Sequence, residues 1–210
     1  MSILWISYFL SHQIYPNLSQ YGVVPRTIEG LIGIALYPLL HGDVEHLAAN
    51  SAPAFVLVFL LHANYGKLTW PVLGWGWFLS GLWLWVAARD GNHIGFSGVI
   101  YALASFLFFS GFIRRYYRLM AVSLIIVFLY GYMVWGVLPI KPGVSWEGHL
   151  FGMMAGAILA AYYRKEGPQR PKYSWEDESD EDDEYVQPDD ETPPEYSSTS
   201  YTKPPTWDGR

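Results

Sequence analysis

Repeated apolar stretches constrain this chain more than any other feature, because a helix that crosses a ~30 Å hydrocarbon core needs about 20 residues. A stretch at residues 46–64 is polar at both ends but continuous between them, and residues 1–15 are too short to cross alone. Four further stretches are long and almost free of charge: 69–88, 97–113, 119–138 and 146–163. These six stretches are numbered below as spans one to six, in chain order.

The charged residues lie mostly near the C-terminus. Residues 1–163 contain 12 Lys, Arg, Asp and Glu residues, whereas residues 164–210 contain 20, of which 14 are acidic. This pattern predicts an all-α polytopic membrane domain at 1–163 and an acidic, disordered tail at 164–210. The chain has no cysteine, which excludes disulfides, thiolate nucleophiles and Cys-ligated metal. We expect the lipid bilayer, and not nucleic acid, as a partner.

The Lys and Arg residues of the short connections indicate an orientation. The connections after spans two, four and six contain eight of them and the other connections contain three, which predicts that the first set is cytoplasmic. The tail is then cytoplasmic, and spans two, four and six begin at the outer face.

Span one reads as the second half of a truncated helix; a signal peptide is the competing interpretation, but a basic start and a cleavage site are lacking. The connection 16–45 is partly apolar and is not a clean span.

Polar side chains occur at the start of each even-numbered span, where they are costly and mark function by default. His46 and Asn50 open span two and share one helical face, four residues apart. Ser97 opens span four between Gly95 and Gly98. Since these spans begin at the same membrane face, their polar groups are expected at a similar depth.

The start of span six completes this set with His149. Gly152 and Gly156 follow it at i+3 and i+7, and such small residues allow membrane helices to approach closely. Ser97, in the first turn of its helix, also has an unpaired backbone N–H. These residues predict acyl transfer, with Ser97 as nucleophile and His149 as general base.

His46, Asn50 and the Ser97 amide would then stabilise the oxyanion. No carboxylate is placed to orient the imidazole, because Glu147 lies two residues away and points off its face. We therefore expect a Ser–His dyad whose histidine is held by packing, for example on the Tyr101 ring.

Three segments together resemble the signatures of the rhomboid intramembrane serine proteases. They are HGDVEHLAAN at 41–50, GFSG at 95–98 with Tyr101, and GH at 148–149 with the two glycines that follow. They occur in order, each at the start of a span, and the resemblance covers about 21–163. It implies a six-helix bundle without metal or other cofactor, in a prokaryotic plasma membrane, that cleaves single-pass transmembrane proteins near the outer interface. The roles that it implies are Ser97 as nucleophile, His149 as base, His46 and Asn50 as oxyanion donors, Tyr101 as the ring beneath His149, and Gly95, Gly98, Gly152 and Gly156 as supporting residues.

Two other functions are compatible with parts of the pattern. A catalytically silent relative that binds membrane proteins would have the same fold, but such relatives typically lack the Ser and His that are intact here. A metal- or haem-binding bundle using His41, His46 and His149 would not need the GFSG segment. The first loop also lacks a Trp-Arg pair found in some rhomboid proteins, and Pro25-Arg26 is the nearest feature.

Overall fold

Helices account for the regular structure in the computed structural model, which describes residues 2–140 and 143–171. Across those ranges strand-like pairing is limited to one isolated β-bridge between Val23 and His93. The predicted all-α class is confirmed. The α-helices are α1 Ser2–Phe9, α2 Gly33–Leu36, α3 Val44–Tyr65, α4 Thr69–Ala87, α5 Ser97–Arg114, α6 Tyr117–Tyr130 and α7 Trp146–Tyr162. Shorter turns are the π-helix Leu10–Ile14 and the 3₁₀-helices Leu18–Tyr21, Glu29–Leu31, Tyr37–Leu39, Gly66–Leu68, Gly131–Val137 and Tyr163–Lys165.

Three helical stretches of the described residues are long and apolar enough to cross a membrane: Val44–Ala87, Ser97–Arg114 and Tyr117–Val137. The first is 44 residues long and contains α3 and α4, which correspond to predicted spans two and three. Helix α7, at 17 residues, corresponds to span six. The helices therefore begin within about two residues of the predicted positions.

Helix α5 forms the centre of the bundle and packs against α3, α4, α6 and α7. In the membrane-span segment Ser97–Arg114, 72% of the residues are buried inside the protein. In an 18-residue stretch of the peripheral segment Tyr117–Val137, which contains α6, the share is 17%. On α6, Phe128 is 88% exposed, as expected for a side chain that faces lipid. On α7, the glycines allow close contact with α5: a Cβ on Gly152 would overlap the Gly98 carbonyl, and one on Gly156 the Ala102 carbonyl.

The connection before α3 is fixed to the rest of the bundle by Arg26. Its guanidinium donates to the Ala88 carbonyl at 2.6 Å and forms an ion pair with Asp90. Trp85 Nε1 in turn donates to the Thr27 carbonyl at 2.8 Å. A Trp and an Arg thus anchor this loop, although they come from different elements and were not recognisable as a pair in the sequence.

The end of α7 is held by Arg114, the last residue of α5, which is 7% exposed. Its guanidinium donates to the carbonyls of Tyr163 at 2.6 Å, Glu166 at 2.5 Å and Pro168 at 3.1 Å. Residues 1–171 form one compact unit. Most of the predicted tail, 172–210, lies outside the described residues, so the boundary after residue 163 stays a prediction.

Candidate active site

Ser97 and His149 meet at the N-terminal ends of their helices. Ser97 is the first residue of α5, and His149 lies in the first turn of α7, whose N-cap Ser145 accepts a hydrogen bond from the Gly148 N–H at 3.3 Å. His149 Nε2 is 3.0 Å from Ser97 Oγ. This is hydrogen-bond distance for a nucleophile and its general base.

The other side of the His149 ring faces the 3₁₀-helix Gly131–Val137, which follows α6. Nδ1 is 2.8 Å from the Gly136 carbonyl oxygen. Because a carbonyl only accepts, Nδ1 must carry the proton, and the Nε2 lone pair then faces Ser97. The ring stacks on Tyr101 at 4.3 Å between centroids and 7° between planes, and Tyr101 Oη donates to the Met133 carbonyl at 2.7 Å.

Glu147 does not orient the imidazole. Its side chain is buried, with Oε1 3.2 Å from Arg89 Nε. Arg89 also donates to the Val144 carbonyl at 2.8 Å, so this pair ties the start of α7 to the loop before α5. Besides Ser97 and Tyr101, the group that contacts the His149 ring is the backbone carbonyl of Gly136. Because every residue has such a carbonyl, no residue type in the sequence indicates this contact.

The side chains of His46 and Asn50 line the turn before Ser97. Gly95 in that turn has φ of +114°. A Cβ on Gly95 would lie 2.8 Å from His46 Nε2 and 3.7 Å from Asn50 Nδ2. Glycine is therefore required twice here, for its backbone conformation and for the space that the two side chains occupy. The predicted oxyanion donors therefore lie beside Gly95, two residues before the predicted nucleophile.

His41, which is fully buried, lies beneath this turn. Its Nε2 is 3.1 Å from Asn50 Nδ2 and accepts from the Phe96 N–H at 3.4 Å. Burial, and then the charge of neighbouring His46, lower the pKa of His41 to about 4, so the ring is neutral at pH 7. Among the described residues, no group of three or more His, Cys, Asp or Glu side chains is arranged to hold a metal ion.

Tyr37, which the sequence analysis did not single out, supports the same turn. Its carbonyl accepts from the Gly95 N–H at 2.8 Å, and its hydroxyl lies 2.6 Å from Ser80 Oγ in α4. A Cβ on Gly98 would lie 3.2 Å from the Tyr37 hydroxyl. A buried tyrosine in a partly apolar loop has no distinctive sequence pattern, so only the three-dimensional contacts reveal its position.

The chain is therefore a helical membrane protein with a Ser–His pair at one end of its central helices. Residues 29–166 match the family model of the Rhomboid domain. The chain belongs to the rhomboid family and is an integral membrane protein.

Relatives of this chain occur in mycobacteria and in a virus. An uncharacterized protein of Mycobacterium tuberculosis is 36% identical over 160 residues, covering 71% of this chain, and the chain spans 65% of that protein's length. An uncharacterized protein of Mycobacterium leprae is 32% identical over 181 residues, covering 81% of this chain and 70% of the relative. A protein of Acanthamoeba polyphaga mimivirus, named as a rhomboid protein, is 26% identical over 144 residues, covering 66% of this chain and 78% of the relative.

Proposed function

We propose that this protein is an intramembrane serine endopeptidase that cleaves single-pass transmembrane proteins with a Ser97–His149 dyad. The observation that carries the proposal is the 3.0 Å distance between His149 Nε2 and Ser97 Oγ. The hydrogen bond between Nδ1 and the Gly136 carbonyl supports it, because it leaves Nε2 free to accept a proton. Membership of the rhomboid family supports the same reaction class.

In the acylation step, Ser97 Oγ attacks the carbonyl carbon of the scissile peptide bond while His149 Nε2 accepts the hydroxyl proton. The substrate oxygen becomes an oxyanion, which the side-chain N–H groups of His46 and Asn50 and the Ser97 amide stabilise. The imidazolium then gives its proton to the leaving amine, the C–N bond breaks, and an acyl-enzyme remains. Water, deprotonated by His149, releases the acyl group and restores Ser97.

The substrate must present an extended peptide to this site. Ser97 is half-buried among other helices, and an intact substrate helix hides its carbonyls in i to i+4 hydrogen bonds. Substrates should therefore carry Gly or Pro near the end of their span, which lowers the cost of unwinding. The residue before the cut should be small, because the close approach of α5 and α7 leaves little room.

We also propose that the site opens outward and that the C-terminal tail is cytoplasmic, in the plasma membrane of a prokaryote. The excess of Lys and Arg in the connections after α3, α5 and α7 supports this orientation. The mycobacterial relatives support the prokaryotic assignment. A protease-accessibility assay on sealed vesicles, with a tag after residue 210, would test the orientation.

The decisive test is labelling of the purified protein in detergent with a serine-directed fluorophosphonate, with and without a chelator. We expect labelling of the wild type that the chelator leaves unchanged, and none of Ser97→Ala or His149→Ala. Ser105→Ala is the matched control, because Ser105 lies on the same helix but donates to the Met153 carbonyl at 2.7 Å. A folded wild type without labelling would instead favour the non-catalytic membrane-binding relative.

A substrate series tests the cleavage mechanism separately. Helix-breaking residues of a model transmembrane substrate are replaced by Leu, and the residue before the cut by Phe. Each change should slow cleavage. An unaltered rate for both would contradict the unwinding mechanism while leaving the role of Ser97 intact.

A further inference from the structure

One buried side chain next to the site has no role in the proposed reaction. His41 lies in the turn between the 3₁₀-helix Tyr37–Leu39 and α3, and it is 0% exposed. Its Nε2 atom faces hydrogen-bond donors from two different elements. One donor belongs to Asn50 on α3 and the other to the backbone of Phe96, immediately before the nucleophile.

The backbone donor decides which atoms face His41. A peptide N–H can only donate, so the bond from Phe96 requires a lone pair on Nε2. An unprotonated Nε2 can then receive only a donor from Asn50, which means that the amide nitrogen, and not the oxygen, faces the ring at 3.1 Å. The amide orientation of Asn50, otherwise ambiguous, follows from this network.

The Asn50 amide has a second N–H, which His41 leaves free. The same nitrogen lies 3.7 Å from the position that a Cβ on Gly95 would take, two residues before Ser97. A half-turn of the amide would present its carbonyl oxygen there instead. An oxygen at that point would repel an oxyanion, whereas an N–H stabilises it.

We propose that His41 is a positioning residue for the oxyanion hole: its Nε2 holds the Asn50 amide with an N–H toward the reacting carbonyl and ties that amide to the Phe96 backbone beside the nucleophile. This inference rests on the proposed function. His41 touches no substrate and acts through Asn50. Since the oxyanion exists only in the transition state, the effect falls on kcat and leaves KM unchanged.

Variants of His41 that keep or remove the acceptor test this role. In His41→Gln the amide oxygen reaches the position of Nε2, whereas the shorter side chain of His41→Asn reaches only the Nδ1 position, and His41→Leu has no acceptor. We expect kcat on a transmembrane substrate to fall by about 10- to 100-fold in the Asn and Leu variants, with KM changed by less than about threefold. This loss does not exceed the roughly 10²–10³-fold cost of removing an oxyanion donor, because the Asn50 amide is still present but no longer held in place. The Gln variant should recover to within about fivefold.

A double-mutant cycle separates positioning from simple structural support. In an Asn50→Ala background the amide is gone, so His41→Asn should lower kcat by less than about threefold further. Thermal unfolding of each variant identifies losses that come from the fold alone. Independent, multiplying effects of the two substitutions, or equal activity of the Gln and Asn variants, would overturn the inference. If His41→Leu does not fold, the Gln–Asn comparison still decides.

The proposed function is checked in the same experiment by a different readout. Fluorophosphonate labelling of the wild type, absent in Ser97→Ala, tests the nucleophile independently of His41. If the wild type is labelled but the His41 and Asn50 substitutions lower kcat independently, so that their fold-losses multiply, only the positioning role is contradicted. An unlabelled wild type contradicts the protease proposal itself.

Discussion

The contact between α5 and α7 makes Gly152→Ala a direct test of how helix packing sets the distance between Ser97 and His149. The added methyl carbon would overlap the Gly98 carbonyl oxygen and would lie 2.9 Å from the carbonyl carbon, where ordinary contact begins at 3.4 Å. The helices must therefore separate by about 1 Å, because real Cβ contacts are almost never shorter than 3.0 Å and the carbonyl oxygen lies well inside that limit. Because Ser97 adjoins Gly98 and His149 lies one turn before Gly152, that separation acts directly on the Ser97–His149 pair.

The expected loss follows from the distance. Starting at 3.0 Å, a further separation of about 1 Å takes the Oγ–Nε2 pair well beyond a good hydrogen bond, whose limit is about 3.2 Å. A misplacement of about 1 Å costs roughly 10²-fold in rate, so this separation predicts a kcat near one-hundredth of the wild type. Overpacking adds a loss of unfolding free energy of about 1–3 kcal/mol.

Two further glycine substitutions serve as controls in the same kinetic and thermal-unfolding assays. Gly156→Ala strains the same interface one turn further from His149, with its Cβ 2.8 Å from the Phe106 nitrogen, and should destabilise similarly while lowering kcat less. Gly74→Ala on α4 meets nothing within 4 Å, and since alanine favours a helix more than glycine, it should lower neither quantity. A folded Gly152→Ala protein with wild-type kcat, or one no slower than Gly156→Ala, would refute the reasoning.

Three further predictions concern the oxyanion donors, the tail and the buried histidine. His46→Ala and Asn50→Ala should each lower kcat by about 10²–10³-fold at nearly constant KM; a raised KM with normal kcat would make them substrate-binding groups. Deletion of 173–210 should leave detergent-phase activity within a few-fold, because Arg114 holds the chain only as far as Pro168; a folded but inactive product would contradict this. Since the pKa of His41 is lowered to about 4, its neutral form stabilises the fold above about pH 6.5, and that contribution is lost as pH falls toward 4. Thermal midpoints of the wild type relative to His41→Gln should therefore decline across that range, and a constant difference would exclude the effect.

The sequence predicted the helices well because apolar length is a direct consequence of bilayer thickness. Span three was expected at 69–88 and α4 is Thr69–Ala87; span four was expected to open at Ser97 and α5 begins there. The approach of α7 to α5 was also expected from Gly152 and Gly156, since small residues at that spacing have a clear physical effect.

The contacts that orient the site were not predictable in the same way. The Gly136 carbonyl, the Tyr37 carbonyl and the Phe96 N–H are backbone groups, and every residue has them, so no residue type marks their use. The loop anchor was missed for a related reason, because Arg26 and Trp85 are far apart in sequence and meet only after α4 has packed against the loop. The chemistry of side chains can be inferred from a single sequence, whereas the partners of backbone hydrogen-bonding groups depend on the packed structure.

This use of backbone groups explains how the proposed dyad works without a carboxylate. When His149 accepts the Ser97 proton it becomes cationic, and its Nδ1–H then points at the Gly136 carbonyl, near the C-terminal end of the 3₁₀-helix Gly131–Val137. Unpaired carbonyls at a helix end carry partial negative charge, which stabilises an adjacent imidazolium. A buried carboxylate would supply more charge, but it would also have to be desolvated before the proposed proton transfer, while the histidine is still neutral. A carbonyl dipole avoids that cost and fixes the same tautomer, so the proposed base is oriented by the end of a helix and not by an acidic residue.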